Sequence, residues 1–349
     1  MEDRSRERLC SENIRDQKSE VRSPESEQWI RCLAFCQGFR ASVFGLRVIK
    51  DMVAVPPSSA LSVKPPGKLF LMDIPNFGDQ LNRDLFFHYG VPCEPSKPDQ
   101  AELVGVGSIL GFVDSQFDGA ILGAGFLSDT CWNPFFQAAV HAVRGKLSRE
   151  RTGRRWGPVL GDPGLLADRI YQRSEPRFAL GLVPHYVDAQ APIIRQLASQ
   201  DSKNVLVVDV TCTPAKVFEQ ISECEVIASS SLHGLVVADS LGIPNVWLRL
   251  SDAVLGSGFK FQDYYSAYGR TPHWFEPTSN CSMKDIRNAA KSPPDNVCEI
   301  KAELERIFKR LPQILGEVRQ RRSSRFRRLR RSFVNRGVRL LARCCNGHH

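Results

Sequence analysis

The sequence predicts an α/β fold built from two successive rounds of strands and helices. In the first round, short apolar runs such as "KLFLMDI" (68–74) and "GAILGAG" (119–125) end in turns rich in glycine or polar residues. Continuous apolar runs of this length are typical of parallel strands that are buried on both faces. A second round of the same kind begins near residue 178. Two such halves in one chain indicate two Rossmann-like domains that face each other across a cleft.

The first round contains further strands and helices in the expected alternation. The pattern of "QLNRDLFFHYG" (80–90) predicts a helix, and that of "WNPFFQAAVHAVRG" (132–145) predicts a helix that leads into a strand. "AELVGVGSIL" (101–110) and "PVLGDPGLL" (158–166) are apolar runs that end in turns. We read the "GDPG" turn (161–164) as structural.

In the second round, four predicted strands alternate with three predicted helices. The strands are "FALGLVPHY" (178–186), "NVLVVDV" (204–210), "EVIASS" (225–230) and "PNVWLRL" (244–250). The helices are "APIIRQLASQ" (191–200), "PAKVFEQISEC" (214–224) and 232–241. We predict domains over 67–176 and 177–295. Ligands of such folds bind at the carboxyl ends of strands, which directs attention to the loops 75–82, 105–108, 123–126, 184–188 and 229–234.

Appendages are predicted at both ends of this body. Residues 1–66 form an N-terminal extension that we expect to be poorly ordered, although 27–54 could form a basic amphipathic helix. Residues 296–349 are predicted to be a helical, Arg-rich tail. The formal net charge of the chain is +9. Residues 318–349 contain 11 arginines and no Lys, Asp or Glu, so residues 1–317 carry a net charge of −2. The body therefore has nearly balanced charge, and the basicity belongs to the tail.

Apolar residues recur at three- and four-residue spacing among the tail arginines, as in Phe326, Leu329 and Phe333. This pattern is typical of a basic amphipathic helix over 319–343, which binds anionic membrane surfaces with about 1 kcal/mol per basic residue. The alternatives are a solvated charged face and non-specific adhesion to nucleic acid. We predict no specific nucleic-acid partner.

The remaining composition favours a cytoplasmic protein. The 11 cysteines show no C-x-x-C pair and no disulfide framework, which is typical of reduced thiols. No run of 18 uncharged apolar residues and no signal-peptide core occurs in the sequence. No metal-ligand cluster is evident, so we predict no metal and no cofactor. The tail would place the protein on the inner face of the cytoplasmic membrane.

The stretch "IASSSLHGLVVADSLGIP" (227–244) carries the strongest candidate site. Ser229, Ser230 and Ser231 precede the predicted helix at the position of an N-cap, and the first N–H groups of a helix bind anions such as phosphate or carboxylate. His233 in the first turn would point at a bound anion, hold its charge or pass a proton near neutral pH. The alternative is that Ser231 only caps the helix and His233 only packs.

Other candidates follow predicted strands in the same way. In "NFGDQLN" (76–82), Asn76, Gly78 and Asp79 start a helix, and Asp79 is either a ligand for a hydroxyl group or only the N-cap. Arg144 in "VRGKLSRE" could bind a carboxylate or phosphate through two parallel hydrogen bonds. His185 in "LVPHYVD" could face the cleft. Lys260 lies in "GFKFQDYYSAYGR" (258–270), predicted as a loop whose aromatic residues could stack on sugar rings or only pack.

Taken together and in this order, these segments resemble the polysaccharide pyruvyl transferase family. The resemblance rests on "NFGDQLN", "GVGSIL", "VRGKLSRE", "GDPGLL", "LVPHYVD", "SSSLHGLVVADSLGIP" and "FKFQDYY" and spans roughly residues 68–275. It is closest to members that act in bacterial exopolysaccharide and capsule synthesis. The family implies a two-domain fold of GT-B type. It also implies transfer of the pyruvyl unit of phosphoenolpyruvate onto two hydroxyls of a sugar, which forms a cyclic ketal and releases phosphate.

The resemblance also implies roles for particular residues. His233 matches the histidine of the family's LHG motif, which acts near the phosphate and the enol. Arg144 matches an arginine that binds the acidic groups of the donor. Many relatives have arginine where this chain has Ser231, so Lys260, His185 or Arg144 must supply the missing positive charge. The same chemistry needs a base for the hydroxyl, for which Asp79 is the candidate.

Acceptors in this family are often lipid-linked sugars at the membrane, which would suit the basic tail. Two other functions remain open at this stage. One is a nucleotide-sugar glycosyltransferase on the same two-domain fold. The other is a non-catalytic, membrane-associated partner in polysaccharide assembly, with Ser231 marking lost chemistry.

Overall fold

Two parallel β-sheets form the centre of the computed structural model, which describes residues 65–251 and 254–327. The predicted N-terminal extension, apart from its last two residues, and the tail beyond 327 lie outside the described residues. The α/β alternation predicted from the sequence is confirmed. The arrangement of two domains across a cleft and the domain bounds stay predictions.

The first sheet has six parallel strands in the order β2-β1-β3-β4-β5-β6. These strands are β1 (Gly67–Phe70), β2 (Cys93–Pro95), β3 (Leu103–Val104), β4 (Ala120–Leu122), β5 (Ala139–Val143) and β6 (Val159–Leu160). Their connections include α1 (Phe77–His88), α2 (Lys146–Arg151) and a 3₁₀ helix, Leu110–Phe112, and a second 3₁₀ helix, Pro163–Arg169, follows β6.

The second sheet has five parallel strands in the order β11-β10-β9-β7-β8. They are β7 (Leu180–Val183), β8 (Val205–Val207), β9 (Ile227–Ser229), β10 (Asn245–Leu248) and β11 (Trp274–Phe275). The connecting helices are α3 (Pro192–Gln200), α4 (Pro214–Ser222), α5 (Leu232–Leu241) and α6 (Phe259–Ala267), and α7 (Met283–Ala289) and α8 (Val297–Phe308) follow.

Both sheets reverse their strand order beside their first strand. In the first sheet β1 lies between β2 and β3, and in the second sheet β7 lies between β8 and β9. The connections that follow β1 and β3 lead toward opposite edges of the first sheet, and those that follow β7 and β9 lead toward opposite edges of the second. In open α/β sheets this reversal leaves a crevice at the carboxyl ends of the two strands, where ligands bind. The fold therefore marks two positions for a site, at β1/β3 and at β7/β9.

The two sheets share their largest hydrophobic core. One cluster joins Leu69 of β1 and Leu85 of α1 to Leu235 of α5 and Leu304 of α8. All ten residues of α5 are buried, because the helix packs on the second sheet and also against the 3₁₀ helix Pro163–Arg169. Gly234 permits this packing, since a Cβ there would lie 2.4 Å from the Ser229 hydroxyl. The core thus fixes the start of α5 between the two halves.

The helical tail predicted over 296–349 is interrupted within its described part. The helix α8 ends at Phe308, and a second helix, α9, covers 311–327. Pro312 lacks the N–H group that a continuous helix would bond to the carbonyl of Phe308, which accounts for the break. The predicted helix beyond 327 lies outside the described residues.

Arginines at the start of the predicted membrane-binding helix bind carboxylates of the protein body. Arg319 forms two hydrogen bonds with Glu102 at 2.8 and 2.9 Å and donates to the carbonyl of Pro66 at 2.7 Å. Arg322 lies 2.7 Å from the Asp118 carboxylate. These two side chains attach α9 to the first sheet.

Two predicted segments differ from the structure. Residues 132–138 form no helix, because the N–H groups of Asn133 and Phe135 donate to the carbonyls of Arg151 and Thr152 at the end of α2. Residues 258–270 are not a loop, since 259–267 form α6. Gly258 at φ +81° starts that helix, and α6 buries Phe261 and Tyr264 in the core.

Three further features concern the described residues alone. Their six cysteines, Cys93 among them, are free thiols. None of their helices combines the length and the apolar character that a bilayer crossing demands. They hold no group of three His, Cys, Asp or Glu side chains placed to bind a metal ion.

Candidate functional site

The site begins at the turn between β9 and α5. Ser231 occupies the N-cap position of α5, but its hydroxyl caps no backbone N–H group. Instead, the Ser229 hydroxyl, which bonds to the Val183 carbonyl at 2.8 Å, accepts the Ser231 N–H at 3.0 Å. The first N–H groups of α5 therefore lack a side-chain cap, and they carry the positive end of the helix dipole. A helix start of this kind favours an anion.

His233, in the first turn of α5, is enclosed by the start of α1 on one side and by Asp162 on the other. A Cβ on Gly78 would lie 1.8 Å from Nδ1 of His233, so only glycine lets α1 approach the ring. Nε2 of His233 lies 3.8 Å from Oδ2 of Asp162. Both atoms are buried, and neither has a hydrogen-bond partner in the part of the chain that the structure describes. Buried polar atoms without partners are rare and indicate a place for a proton or a ligand.

Asp79 contributes a carboxyl group from the first turn of α1. Asn76 donates a hydrogen bond to Oδ2 of Asp79 at 2.8 Å. One turn later, the Asn82 amide bonds to both backbone groups of Val106, at 2.9 Å to the carbonyl and 2.7 Å to the N–H. Asn82 thus fixes α1 against the loop that follows β3. The carboxyl group lies at the β1/β3 crevice, where Gly107 leaves room beside it.

Lys260 is the cation of the site and lies in the first turn of α6. Its side chain is almost completely buried, with 7% of the residue exposed. Within 65–251 and 254–327 its ammonium forms no ion pair, and Asp79 and Asp188 influence it only through longer-range charge. Burying an unpaired cation is unfavourable. The environment of Lys260 therefore favours binding of an anion.

His185 joins the site from the β7/β9 crevice. Its backbone N–H donates to the Ser230 hydroxyl at 2.9 Å, which connects the loops that follow the two strands. Its ring is tilted against Tyr186 with 4.3 Å between centroids. Burial, together with the charge of Lys260, lowers the pKa of His185 to about 3.

Burial brings three groups of the site toward titration at neutral pH, one of which is Asp162, whose pKa burial raises to about 6. It raises the pKa of Asp79 to about 7, more than the hydrogen bond from Asn76 lowers it. Burial and the charge of Arg144 lower the pKa of Lys260 to about 8. Burial, Lys260 and Arg144 lower the pKa of His233 to about 3. At pH 7 the site therefore holds a neutral imidazole, a largely charged ammonium and a carboxyl group in both protonation states.

Arg144, predicted as a ligand of the donor, is fully buried and occupied by protein contacts. Its Nε donates to Asp263 at 2.9 Å, Nη1 to the Ser108 hydroxyl at 2.6 Å and Nη2 to the Phe126 carbonyl at 2.5 Å. Asp263 lies on α6, so this ion pair connects the end of β5 to the helix that carries Lys260. In this structure Arg144 stabilises the packing of β5 against α6, and direct binding of the donor by Arg144 stays a prediction.

Most of the predicted residues meet at the carboxyl edges of the two sheets. These are Asn76, Gly78, Asp79, His185, Ser230, Ser231, His233 and Lys260. The sequence reading missed Asp162, which it assigned to a structural turn. Asp162 does accept the Gly164 N–H at 2.9 Å, but its other oxygen faces His233. Its position directly after β6 follows the strand-end rule that identified the other residues.

Comparison with known proteins identifies the family. The model of the family described as polysaccharide pyruvyl transferase matches residues 86–252. An uncharacterised protein of Acanthamoeba polyphaga mimivirus is 35% identical over 197 residues, which are 52% of this chain and 67% of that protein. The chain belongs to the polysaccharide pyruvyl transferase family. Within the matched span lie Arg144, Asp162, His185 and His233, whereas Lys260 lies outside it.

A second relative is the succinoglycan biosynthesis protein ExoV of Rhizobium meliloti (strain 1021). It is 26% identical over 210 residues, which are 56% of this chain and 62% of ExoV. The chain thus spans about two thirds of the length of these two relatives. Among solved structures, the glycosyltransferase SnogD from Streptomyces nogalater aligns with a TM-score of 0.28 and 14% identity, over 63% of this chain and 69% of SnogD. A similarity of this size assigns neither fold nor function.

Proposed function

We propose that this protein transfers the pyruvyl unit of phosphoenolpyruvate onto two hydroxyls of one sugar in an exopolysaccharide or capsule precursor. The product is a cyclic ketal, and phosphate is released. Family membership supports pyruvyl transfer, and the name of ExoV supports a polysaccharide pathway. The observation that carries the proposal is the buried ammonium of Lys260. It lies 5.5 Å from the centroid of the Phe261 ring but forms no ion pair within the described residues, and its charge acts on His233 and Asp79.

Lys260 supplies a positive charge that Ser231 does not. Phosphoenolpyruvate carries a phosphate and a carboxylate close together, so it needs a fixed cation and further hydrogen-bond donors. Lys260 provides the cation, and the uncapped N–H groups at the start of α5 provide donors. Binding of the anion removes the cost of burying Lys260 alone.

Donor binding also changes the protonation of His233. Burial, with the charge of Lys260 as a second cause, lowers the pKa of His233 and keeps this imidazole neutral in the free protein. A dianion beside the ring offsets the charge of Lys260 and raises the pKa of His233. The Asp162 carboxylate, 3.8 Å from Nε2, then stabilises the imidazolium. His233 can thereby take up a proton once the donor is in place.

The reaction proceeds by proton transfers on which these groups can act. The His233 imidazolium protonates the methylene carbon of the enol, which leaves an oxocarbenium-like centre at C2. One sugar hydroxyl attacks C2 and loses its proton to the Asp79 carboxylate. The phosphate then leaves C2 with the proton that Asp79 took up. The second hydroxyl attacks C2 and gives its proton to the neutral His233 imidazole, which closes the ketal and restores both groups. One proton enters the methyl group, one leaves with phosphate, and both come from the two hydroxyls.

Phosphate release from phosphoenolpyruvate tests the proposal. Purified protein is incubated with phosphoenolpyruvate and a membrane extract of the source organism, beside His233→Ala. The matched control is His88→Ala, which changes an exposed histidine in the last turn of α1. We expect release that needs the extract, persists in His88→Ala and disappears in His233→Ala. Equal release by His233→Ala and wild type would refute the assigned role of His233. A wild type that neither releases phosphate nor binds phosphoenolpyruvate would refute the function.

A further inference from the structure

An aromatic pocket opens at the carboxyl end of β10, beside the candidate site. Its volume is about 230 Å³, and Trp247, Trp274, Phe261 and Gln262 are among the residues that line it. This volume lies below the roughly 300–1,000 Å³ of pockets for drug-sized ligands, so it suits a single ring. Neither the family match nor the proposed chemistry of the donor assigns a ligand to it.

The aromatic side chains of this pocket are held in fixed positions. Trp247 stacks on Phe261 with 4.1 Å between ring centroids and 11° between the planes. Trp274 meets Trp247 edge to face at 5.9 Å, and β10 pairs with β11 at these two residues. Trp247 is 8% exposed and Trp274 is 45% exposed. Trp247 therefore forms a rigid floor, and Trp274 presents a half-exposed indole at the rim.

Two connections join the pocket to Lys260. Gly258 lines the pocket and begins α6 two residues before Lys260, and a Cβ on Gly258 would lie 2.9 Å from the Trp247 ring. Ser251 also lines the pocket and donates to Oδ1 of Asp188 at 2.7 Å. The other oxygen of Asp188 is buried without a hydrogen-bond partner in 65–251 and 254–327, and the charge of Asp188 acts on Lys260. The pocket thus opens next to the proposed donor position.

We infer that this pocket binds the sugar ring of the acceptor, an inference that rests on the proposed function. The donor, phosphoenolpyruvate, contains no ring, so a ring held beside Lys260 belongs to the second substrate. A pyranose presents C–H groups on its faces, which pack on an indole, and hydroxyls at its edge. The exposed amide of Gln262 and the hydroxyl of Ser257, which also line the pocket, can bond to such hydroxyls.

The first test measures the dependence of phosphate release on the acceptor. Trp274→Ala removes the half-exposed indole, and Trp132→Ala, which removes a tryptophan 65% exposed, is the matched control. Loss of an aromatic contact should raise the half-saturating amount of membrane extract about tenfold in Trp274→Ala. The half-saturating concentration of phosphoenolpyruvate should stay that of wild type, as should both values in Trp132→Ala. Unchanged dependence on extract in a folded Trp274→Ala would overturn the inference. Gln262→Ala, at an exposed position, gives the same readout if Trp274→Ala fails to fold.

The second test needs no turnover and therefore separates failure of the pocket from failure of the proposed function. Saturation-transfer NMR with methyl β-D-galactopyranoside and methyl β-D-glucopyranoside should give signals from at least one glycoside with wild type and with Trp132→Ala. The signals should disappear with Trp274→Ala. Transfer to neither glycoside would overturn the inference. Transfer instead to the base protons of uridine monophosphate, lost in Trp274→Ala, would overturn it in favour of a nucleotide.

Discussion

Replacing Lys260 by methionine should stabilise the free protein and remove its affinity for the donor. Burial and Arg144 lower the pKa of Lys260 from 10.5 to about 8. The unfolded chain therefore binds this proton more tightly than the folded chain does. A difference of about 2.5 pKa units corresponds to a cost of about 3 kcal/mol in the free energy of unfolding at pH 7. Methionine keeps an unbranched side chain of similar size and avoids this cost.

The pH dependence of the stability gain has a defined sign. Below pH 8 lysine is charged in both states, so the whole cost is present and the gain in Lys260→Met is largest. Between pH 8 and 10.5 the unfolded state holds more protons, so the stability of wild type rises with pH and the gain shrinks. Urea unfolding at pH 7 and pH 10 measures both values. The matched control is Lys146→Met, because Lys146 is exposed in the first turn of α2.

Phosphoenolpyruvate should stabilise Lys146→Met against unfolding but not Lys260→Met. A ligand at 100 times its dissociation constant raises the free energy of unfolding by about 2.7 kcal/mol. We expect this protection for wild type and Lys146→Met and none for Lys260→Met. A Lys260→Met variant that is less stable than wild type at pH 7, yet equally protected by phosphoenolpyruvate, would refute both the electrostatic reasoning and the proposed donor position.

Three further predictions concern Asp79, Asp162 and Arg319. Burial raises the pKa of Asp79 to about 7. Because a general base acts when it is deprotonated, kcat/KM should rise with pH through this value. A pH profile that is flat from pH 6 to 8 would contradict this role. Asp162→Asn keeps the shape of the side chain but removes the charge that faces His233. We therefore expect kcat to fall about 100-fold or more, with little change in the KM for phosphoenolpyruvate. A change confined to KM would contradict a role of Asp162 in stabilising the His233 imidazolium. Arg319→Gln breaks two hydrogen bonds to a largely buried carboxylate and should lower the free energy of unfolding by about 1–3 kcal/mol without loss of activity at 25 °C. Arg321→Gln, at an exposed position of the same helix, should leave the urea midpoint unchanged.

The sequence predicted those parts of the fold that local patterns determine. The bounds of α5 agree with the prediction of 232–241, because serines precede the helix and Gly242, at φ +74°, ends it. Four of the five strands of the second sheet are predicted as apolar runs followed by turns, whereas the two-residue strand β11 is not predicted. The strand-end rule also predicts that His185 and His233 lie at the same edge of a sheet.

Other features depend on contacts between distant parts of the chain. Arg144 resembles a free ligand in sequence, but its partner Asp263 lies 119 residues away on α6. The segment 258–270 is predicted as a loop rich in aromatic residues, whereas tertiary packing of these residues makes 259–267 helical. The burial of Lys260, which shifts its pKa, likewise follows from assembly of the core and not from neighbouring residues.

The contact between Gly78 and His233 determines how much of the chain a functional fragment must contain. The family match covers 86–252, so Gly78 and Asp79 precede it and Lys260 follows it. A fragment cut at the matched bounds would keep the histidine but lose the backbone that encloses one side of its ring. It would also lose Lys260, whose charge adds to burial in lowering the pKa of the imidazole. The smallest portion worth expressing therefore starts before β1 and continues past α6 through α8, whose Leu304 belongs to the shared core. Both ends lie well outside the segment by which the family is recognised.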